Sequence, residues 1–330
     1  MQLEKYGSAS INPALRAALD VVAKGGLPKL FRAAYRAMPL LLYLPAHLRM
    51  MRVLKTAPVS ELTARRPKLG YKYLYRPYLV HSFTKRMRLE ALAFHYRFLA
   101  ERVNDDFFAR IYDGEYELWQ DVNEGSVSAI AISFPVDWEH DYEGDLLLKF
   151  KSDGACIYSL TFSIVPGHAV GTASEQVVLV TAIQGGAGMA ERIRQVKEHY
   201  GDLAPSLLLL AGIEGVAFAL GIPLLAGIGL DQQVQKQTWN NEKFTFDYDR
   251  FWNQAIGERA ESGYYLRPIP EQLKPLEEVK AKHRKKTILR RSIKASIREA
   301  IQFSFNEKCL SKKYVLRRRE IEDLAKHAEE

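Results

Sequence analysis

Residues 177–230 constrain the chain most. They read VVLVTAIQGGAGMAERIRQVKEHYGDLAPSLLLLAGIEGVAFALGIPLLAGIGL: an extended run, a glycine turn, an amphipathic helix, a nearly apolar helix and a second extended run. Val177, Val178, Val180, Thr181 and Ile183 favour an extended backbone, because branching at Cβ restricts χ1. The turn Gln184-Gly185-Gly186-Ala187-Gly188 breaks that run before Met189, Ile193, Val196 and Tyr200 recur on one helical face. A strand therefore feeds directly into a helix, an order that suits a ligand-binding α/β core.

Glycines at such a junction let backbone N–H groups approach an anion closely, and the unpaired amides and dipole of the new helix favour phosphate. Arg192 and Arg194 bring positive charge nearby. Neither GxGxxG nor GxxxxGK[ST] is present, so the usual dinucleotide and nucleotide-triphosphate signatures are absent. The turn is similar to the Q/R-x-x-G-x-G/A turn of the acetyltransferase superfamily, which uses acyl-coenzyme A. With Gln184 in first place, Ala187 and Met189 fall where that family has its small residues. On this reading Gln184, Gly185, Gly186, Ala187, Gly188 and Arg192 contact the pyrophosphate of coenzyme A or acyl-coenzyme A. The alternative is that the glycines only make a tight connection.

Residues 207–230 carry one charged side chain, Glu214, and are long enough to span a membrane. Gly212, Gly215 and the break at Gly221-Ile222-Pro223 argue instead for a core helix followed by a buried strand. Glu214 then either sits at the helix rim and reaches water or, if enclosed, needs a partner and becomes a candidate acid or base.

A chain of 330 residues buries a sizeable core. Its 47 basic and 39 acidic residues give a formal charge of +8, which suits nucleic acid, anionic lipid or a phosphorylated ligand and selects none of them. No nucleic-acid reading module accompanies the charge. Cys156 and Cys309 provide neither a disulfide framework nor a zinc cluster, and no metal site is expected. The first residues do not read as a secretory signal, so the expected residence is cytoplasmic, with peripheral contact at the inner membrane open.

Composition shifts near Arg110 and Lys280 divide the chain into a basic helical region (1–110), an α+β core (111–270) and a basic C-terminal helical region (271–330). In the first, Asn12-Pro13 starts a helix through Ala23, and residues 28–55 mix Leu, Met and Tyr with Arg. That mixture fits packing with snorkelled arginines or attachment to an anionic surface. Residues 84–103 have helical spacing, with His95 on the helix and no second ligand beside it. Residues 112–119, 127–134, 146–150, 156–164 and 176–183 read as strands joined by short turns, which implies a mainly antiparallel sheet of acetyltransferase-like order. Asp249 reads as a helix cap with Phe251 and Trp252 packing behind it, and Tyr264-Tyr265-Leu266 as a last short strand. Residues 280–301 form a basic helix with Ile293, Ile297 and Ile301 on one side.

Several short features in order resemble a bacterial envelope-associated family of VirK/YbjX type over residues 71–301. They are Tyr75-Arg76-Pro77-Tyr78, Arg88 with His95-Tyr96, Tyr158-Ser159-Leu160-Thr161-Phe162 and Ile183-Gln184-Gly185. Leu207-Leu208-Leu209-Leu210, Tyr248-Asp249 with Phe251-Trp252, and the basic block of Lys285, Lys286, Arg290 and Arg291 continue the series. The resemblance implies a cytoplasmic or peripheral protein connected with envelope properties and, in some relatives, virulence. It implies no reaction and no catalytic residues. The residues themselves suggest an acyltransferase or acyl-coenzyme A-binding protein in which Glu214, His95 or Tyr158 assists proton transfer. The alternative is a non-enzymatic envelope-associated factor that binds anionic lipid or an envelope-related protein through its basic helical ends.

Overall fold

The structure is a computed structural model and describes residues 38, 40–75, 77–123, 125–135, 142–239, 246–318 and 320. The helix expected over residues 12–23 lies outside them, as does Arg76 of the Tyr75-Arg76-Pro77-Tyr78 motif.

Helices lead the described chain: α1 (Leu44–Leu54), α2 (Val59–Arg65), the single turn α3 (Lys72–Tyr75), α4 (Lys85–Arg102) and α5 (Asp105–Asp113). Thr84 caps α4 by accepting the Met87 N–H at 3.3 Å, and Asn104 caps α5 by accepting the Phe107 N–H at 2.8 Å. The first strand, expected at 112–119, is corrected by that second cap. Asn104 starts a helix that buries Phe107, Phe108 and Ile111, so Tyr112 is helical and β1 runs Tyr116–Asn123.

The following strands are β2 (Ser126–Ser133), β3 (Leu146–Ser152), β4 (Ala155–Pro166), β5 (Gln176–Gly185), β6 (Leu224–Ile228) and β7 (Tyr264–Pro268). Among the described residues they make one sheet in the order β1-β2-β3-β4-β5-β6-β7. Every neighbouring pair is antiparallel except β5 and β6. That pair is parallel because the chain crosses between them through α6 (Ala190–His199) and α7 (Pro205–Leu220). The fold is thus α+β, with N-terminal helices and a mixed sheet. After β6 come α8 (Val234–Trp239) and α9 (Tyr248–Ala255), and after β7 the long basic helix α10 (Ala281–Lys308).

Two helical layers cover the sheet. Period-two alternation sends Tyr158, Leu160 and Phe162 of β4 to one face and Thr161 and Ser163 to the other. On the first face α7 packs over the strands, and α10 packs over α7. The approach is close because a Cβ on Gly215 would meet the Arg298 carbonyl oxygen at 2.5 Å, and one on Gly212 the Ile301 side chain at 3.2 Å. On the second face α4 lies against β4, with α1 against α4. Buried side chains from Met50 on α1 to Leu310 beyond α10 belong to one hydrophobic cluster. No described helix is long and apolar enough to cross a membrane, and α7 is the core helix expected from its glycines.

Candidate functional site

The sheet opens between β5 and β6. Their register runs Val178↔Leu225, Leu179↔Ala226 and Val180↔Gly227, after which β5 continues to Gly185 with β4 as its strand partner. At the point of parting, Thr161 and Phe162 of β4 face Ala182 and Val180, so Thr181 is the extra residue of a β-bulge. A bulge bends its strand and re-aims the groups that follow it. The N–H of Ile183 points into the opening, where the Tyr248 hydroxyl accepts it at 3.0 Å.

The sequence builds the other wall from β6 and α9. Gly227 has no side chain because Trp252 occupies its place, and a Cβ there would lie 2.3 Å from the indole. Asp247 caps α9 by accepting the Arg250 N–H at 3.0 Å. Asp249, expected as the cap, instead accepts the Tyr265 hydroxyl at 2.9 Å and the Leu230 N–H at 3.3 Å, tying α9 to β7 and to the end of β6. These contacts hold Tyr248 and Trp252 under the opening.

Polar groups converge there out of contact with solvent. Glu143, Thr181, Gln233 and Tyr248 are all buried. The Gln233 amide donates to the Glu143 carboxylate, and the Thr181 hydroxyl donates to the Glu143 carbonyl. Burial, reinforced by the charge of Glu143, pushes the Tyr248 phenol well above its ordinary value. Burial likewise raises Tyr158, against a hydrogen bond from Ser206. Both phenols therefore keep their protons at neutral pH, Tyr248 while accepting the Ile183 N–H.

The glycine turn sits at the end of the same strand. Gln184 and Gly185 finish β5, and residues 185–188 are exposed. The Gly186 N–H is held by the Ile157 carbonyl at 2.9 Å, and Gly188 takes a left-handed φ of +75°. No side chain caps α6, so its first-turn amides face outward beside Ala187 and Gly188. The Arg192 guanidinium donates to the Ser152 carbonyl at 3.0 Å across the β3–β4 turn.

Of the three candidate proton-transfer groups, Tyr158 is brought to the turn, where a Cβ on Gly185 would lie 3.1 Å from its ring. His95 lies on the sheet-facing side of α4. Its Nδ1 accepts the Ile164 N–H at 3.0 Å, and burial pushes the imidazole down to about 4. Beside it, burial drives the Asp145 carboxyl up, but Lys72 at 2.9 Å, His95 and the Tyr78 hydroxyl outweigh that and hold it at about 2. Glu214, expected at a wet helix rim, is buried and ion-paired with Arg267 of β7, with Arg298 of α10 at 3.6 Å. Burial raises its carboxyl against the pull of Arg267.

Sequence reading missed Glu143, Thr181, Gln233 and the polar role of Tyr248. Glu143-Gly144 reads as a turn, and Tyr248 sits in a motif whose aromatic neighbours suggest packing. Among the described residues, no group of His, Cys, Asp and Glu could hold a metal ion.

A family model described as "Protein of unknown function (DUF535)" matches residues 29–301. The chain is 22% identical over 233 residues to "Uncharacterized protein YbjX" of Escherichia coli (strain K12), a match that covers 68% of each chain. No solved structure matches. The resemblance read from the short motifs is supported at this family level.

Proposed function

The chain belongs to the DUF535 family, and for it we propose an acyltransferase in which a phosphorylated acyl carrier, coenzyme A or its like, lies along the free edge of β5. The observation that carries the reading is the Ile183 N–H, turned by the Thr181 bulge into a buried opening and met there by a phenol that stays protonated. Such an edge offers an extended ligand backbone hydrogen bonds, and the exposed glycine turn with the uncapped start of α6 offers its phosphates amide donors.

In this reading the carrier takes the place of Tyr248 at the Ile183 N–H. The thioester carbonyl oxygen accepts that N–H, which stabilises the negative charge it gains when an amine or hydroxyl attacks. Glu143, oriented by Gln233, takes the acceptor's proton as the new carbon–nitrogen or carbon–oxygen bond forms. The carbon–sulfur bond then breaks, the Tyr248 hydroxyl protonates the departing thiolate, and the proton taken up by Glu143 passes to the Tyr248 phenolate, which restores both groups. His95 and Glu214 take no part, because each is committed to a separate buried contact.

Titration of the purified protein with coenzyme A and several acyl-coenzyme A species tests the reading, with Gly186→Asp and Tyr248→Phe as variants and circular dichroism as a check of folding. Saturable binding lost in a folded Gly186→Asp and kept in Tyr248→Phe is the expected result. Absence of binding across the panel refutes it.

A further inference from the structure

A second feature lies on the far side of α4 from the sheet. Residues 40–42 are helical and lead through Tyr43 into α1, and this segment turns leucines to solvent: Leu41 is 68% exposed, Leu42 69% and Leu48 47%. Singly exposed leucines are ordinary, but these recur on successive turns of one segment, which makes a contiguous apolar strip. Beyond the strip a groove of about 340 Å³ runs between α1 and α4, with Met50, Leu89 and Phe94 in its floor and Arg49, Arg86 and Arg97 on its walls. Arg49 and Arg86 have no carboxylate partner among the described residues, and Arg97 lies over the Phe94 ring at 5.6 Å. Glu90, the acidic residue of the lining, faces His168 Nε2 at 3.0 Å. The walls thus carry an excess of positive charge next to exposed leucines.

We propose that this face docks the protein on an anionic lipid bilayer. The leucines enter the boundary between headgroups and acyl chains, and Arg49, Arg86 and Arg97 meet lipid phosphates. The two halves of the surface point to one occupant. A free phosphate has no use for the leucine strip, and an apolar protein groove has no use for unpaired arginines, whereas a bilayer surface presents anionic and apolar layers within a few ångströms of each other. The groove shares no lining residue with the opening between β5 and β6, so docking does not depend on the acyl-transfer reading.

Sedimentation of the full chain with vesicles tests the proposal. Phosphatidylcholine vesicles containing phosphatidylglycerol are expected to carry the protein down, and pure phosphatidylcholine vesicles are not. Arg49→Glu with Arg97→Glu is expected to weaken binding by more than about tenfold, since each cation near such a surface contributes several-fold. Leu41→Ser with Leu48→Ser is expected to weaken it at unchanged charge. All four positions are on the surface, and thermal melting checks that the variants fold. Failure of the unaltered chain to bind anionic vesicles overturns the proposal, as does undiminished binding of either variant. Displacement by soluble glycerol phosphate with the leucine variant binding normally replaces it with a phosphate site. A doubled mass in light scattering that Leu41→Ser with Leu48→Ser abolishes, without vesicle binding, replaces it with self-association.

Discussion

The Tyr248 hydroxyl accepts the Ile183 N–H at 3.0 Å across the opening between β5 and β6. In a continuous sheet that amide would bond a neighbouring strand, and here a side chain 65 residues along the chain replaces the strand. The substitute closes the sheet through a single side-chain contact rather than a paired strand.

Tyr248→Phe tests this directly. The ring still fits, but the Ile183 N–H loses its acceptor in a buried site, which costs about 1–3 kcal/mol. Urea unfolding is expected to register that loss, and the Ile183 amide is expected to exchange faster than that of Leu160, its partner in register on β4. Unchanged stability together with an unchanged exchange rate would mean that the hydroxyl does not hold this amide.

The glycines of α7 separate two effects within one helix. At Gly215 a Cβ would meet the Arg298 carbonyl at 2.5 Å, and backbone cannot swing aside, so α7 and α10 must move apart. At Gly212 the nearest atoms are the methyl ends of Ile301 and Ile130, at 3.2 and 3.5 Å, which can give way. Alanine gains about 1 kcal/mol over glycine in a helix at either site. Overpacking costs about 1–3 kcal/mol and falls on Gly215 alone. Gly212→Ala is therefore expected to stabilise by up to about 1 kcal/mol, and Gly215→Ala to range from neutral to destabilising by about 2 kcal/mol. Equal urea midpoints for the two variants would refute the close crossing.

The same contrast explains how far the sequence could be read. The strands of the meander were legible because each carries its own alternation and its own turn, as in Asp153-Gly154 between β3 and β4. The first strand starts later than its strand-forming residues suggest because Asn104-Asp105-Asp106 starts a helix that runs through Tyr112. Asp247 and Asp249 look alike in sequence, and only the fold decides which one caps α9 and which one reaches Tyr265. The opening was not legible at all. It depends on where β5 and β6 stop pairing, and Glu143, Thr181, Gln233 and Tyr248 come from four separate segments with no spacing between them to read. Tyr158, a candidate from the sequence, reaches the glycine turn. Glu214 is also a candidate from the sequence, but its isolation in an apolar run reflects a buried pairing with Arg267.

His95 supplies a prediction in pH. Burial lowers its folded-state value from 6.5 to about 4, chiefly by penalising the charged ring. Between those values the unfolded chain binds a proton that the folded chain does not, so acid favours unfolding. The contribution is fully present above pH 6.5 and lost as pH falls toward 4. A shift of that size corresponds to about 3 kcal/mol. Asp145 acts in the same direction lower down: its value falls from 3.8 unfolded to about 2 folded, so its contribution is lost as pH drops through that range. His95→Asn keeps an acceptor for the Ile164 N–H while removing the titration. Urea unfolding at about pH 7 and about pH 4.5 is expected to give a much smaller fall in stability for the variant than for the natural chain. Parallel falls would mean that His95 is not held neutral against β4, and the acid sensitivity would then have to arise elsewhere.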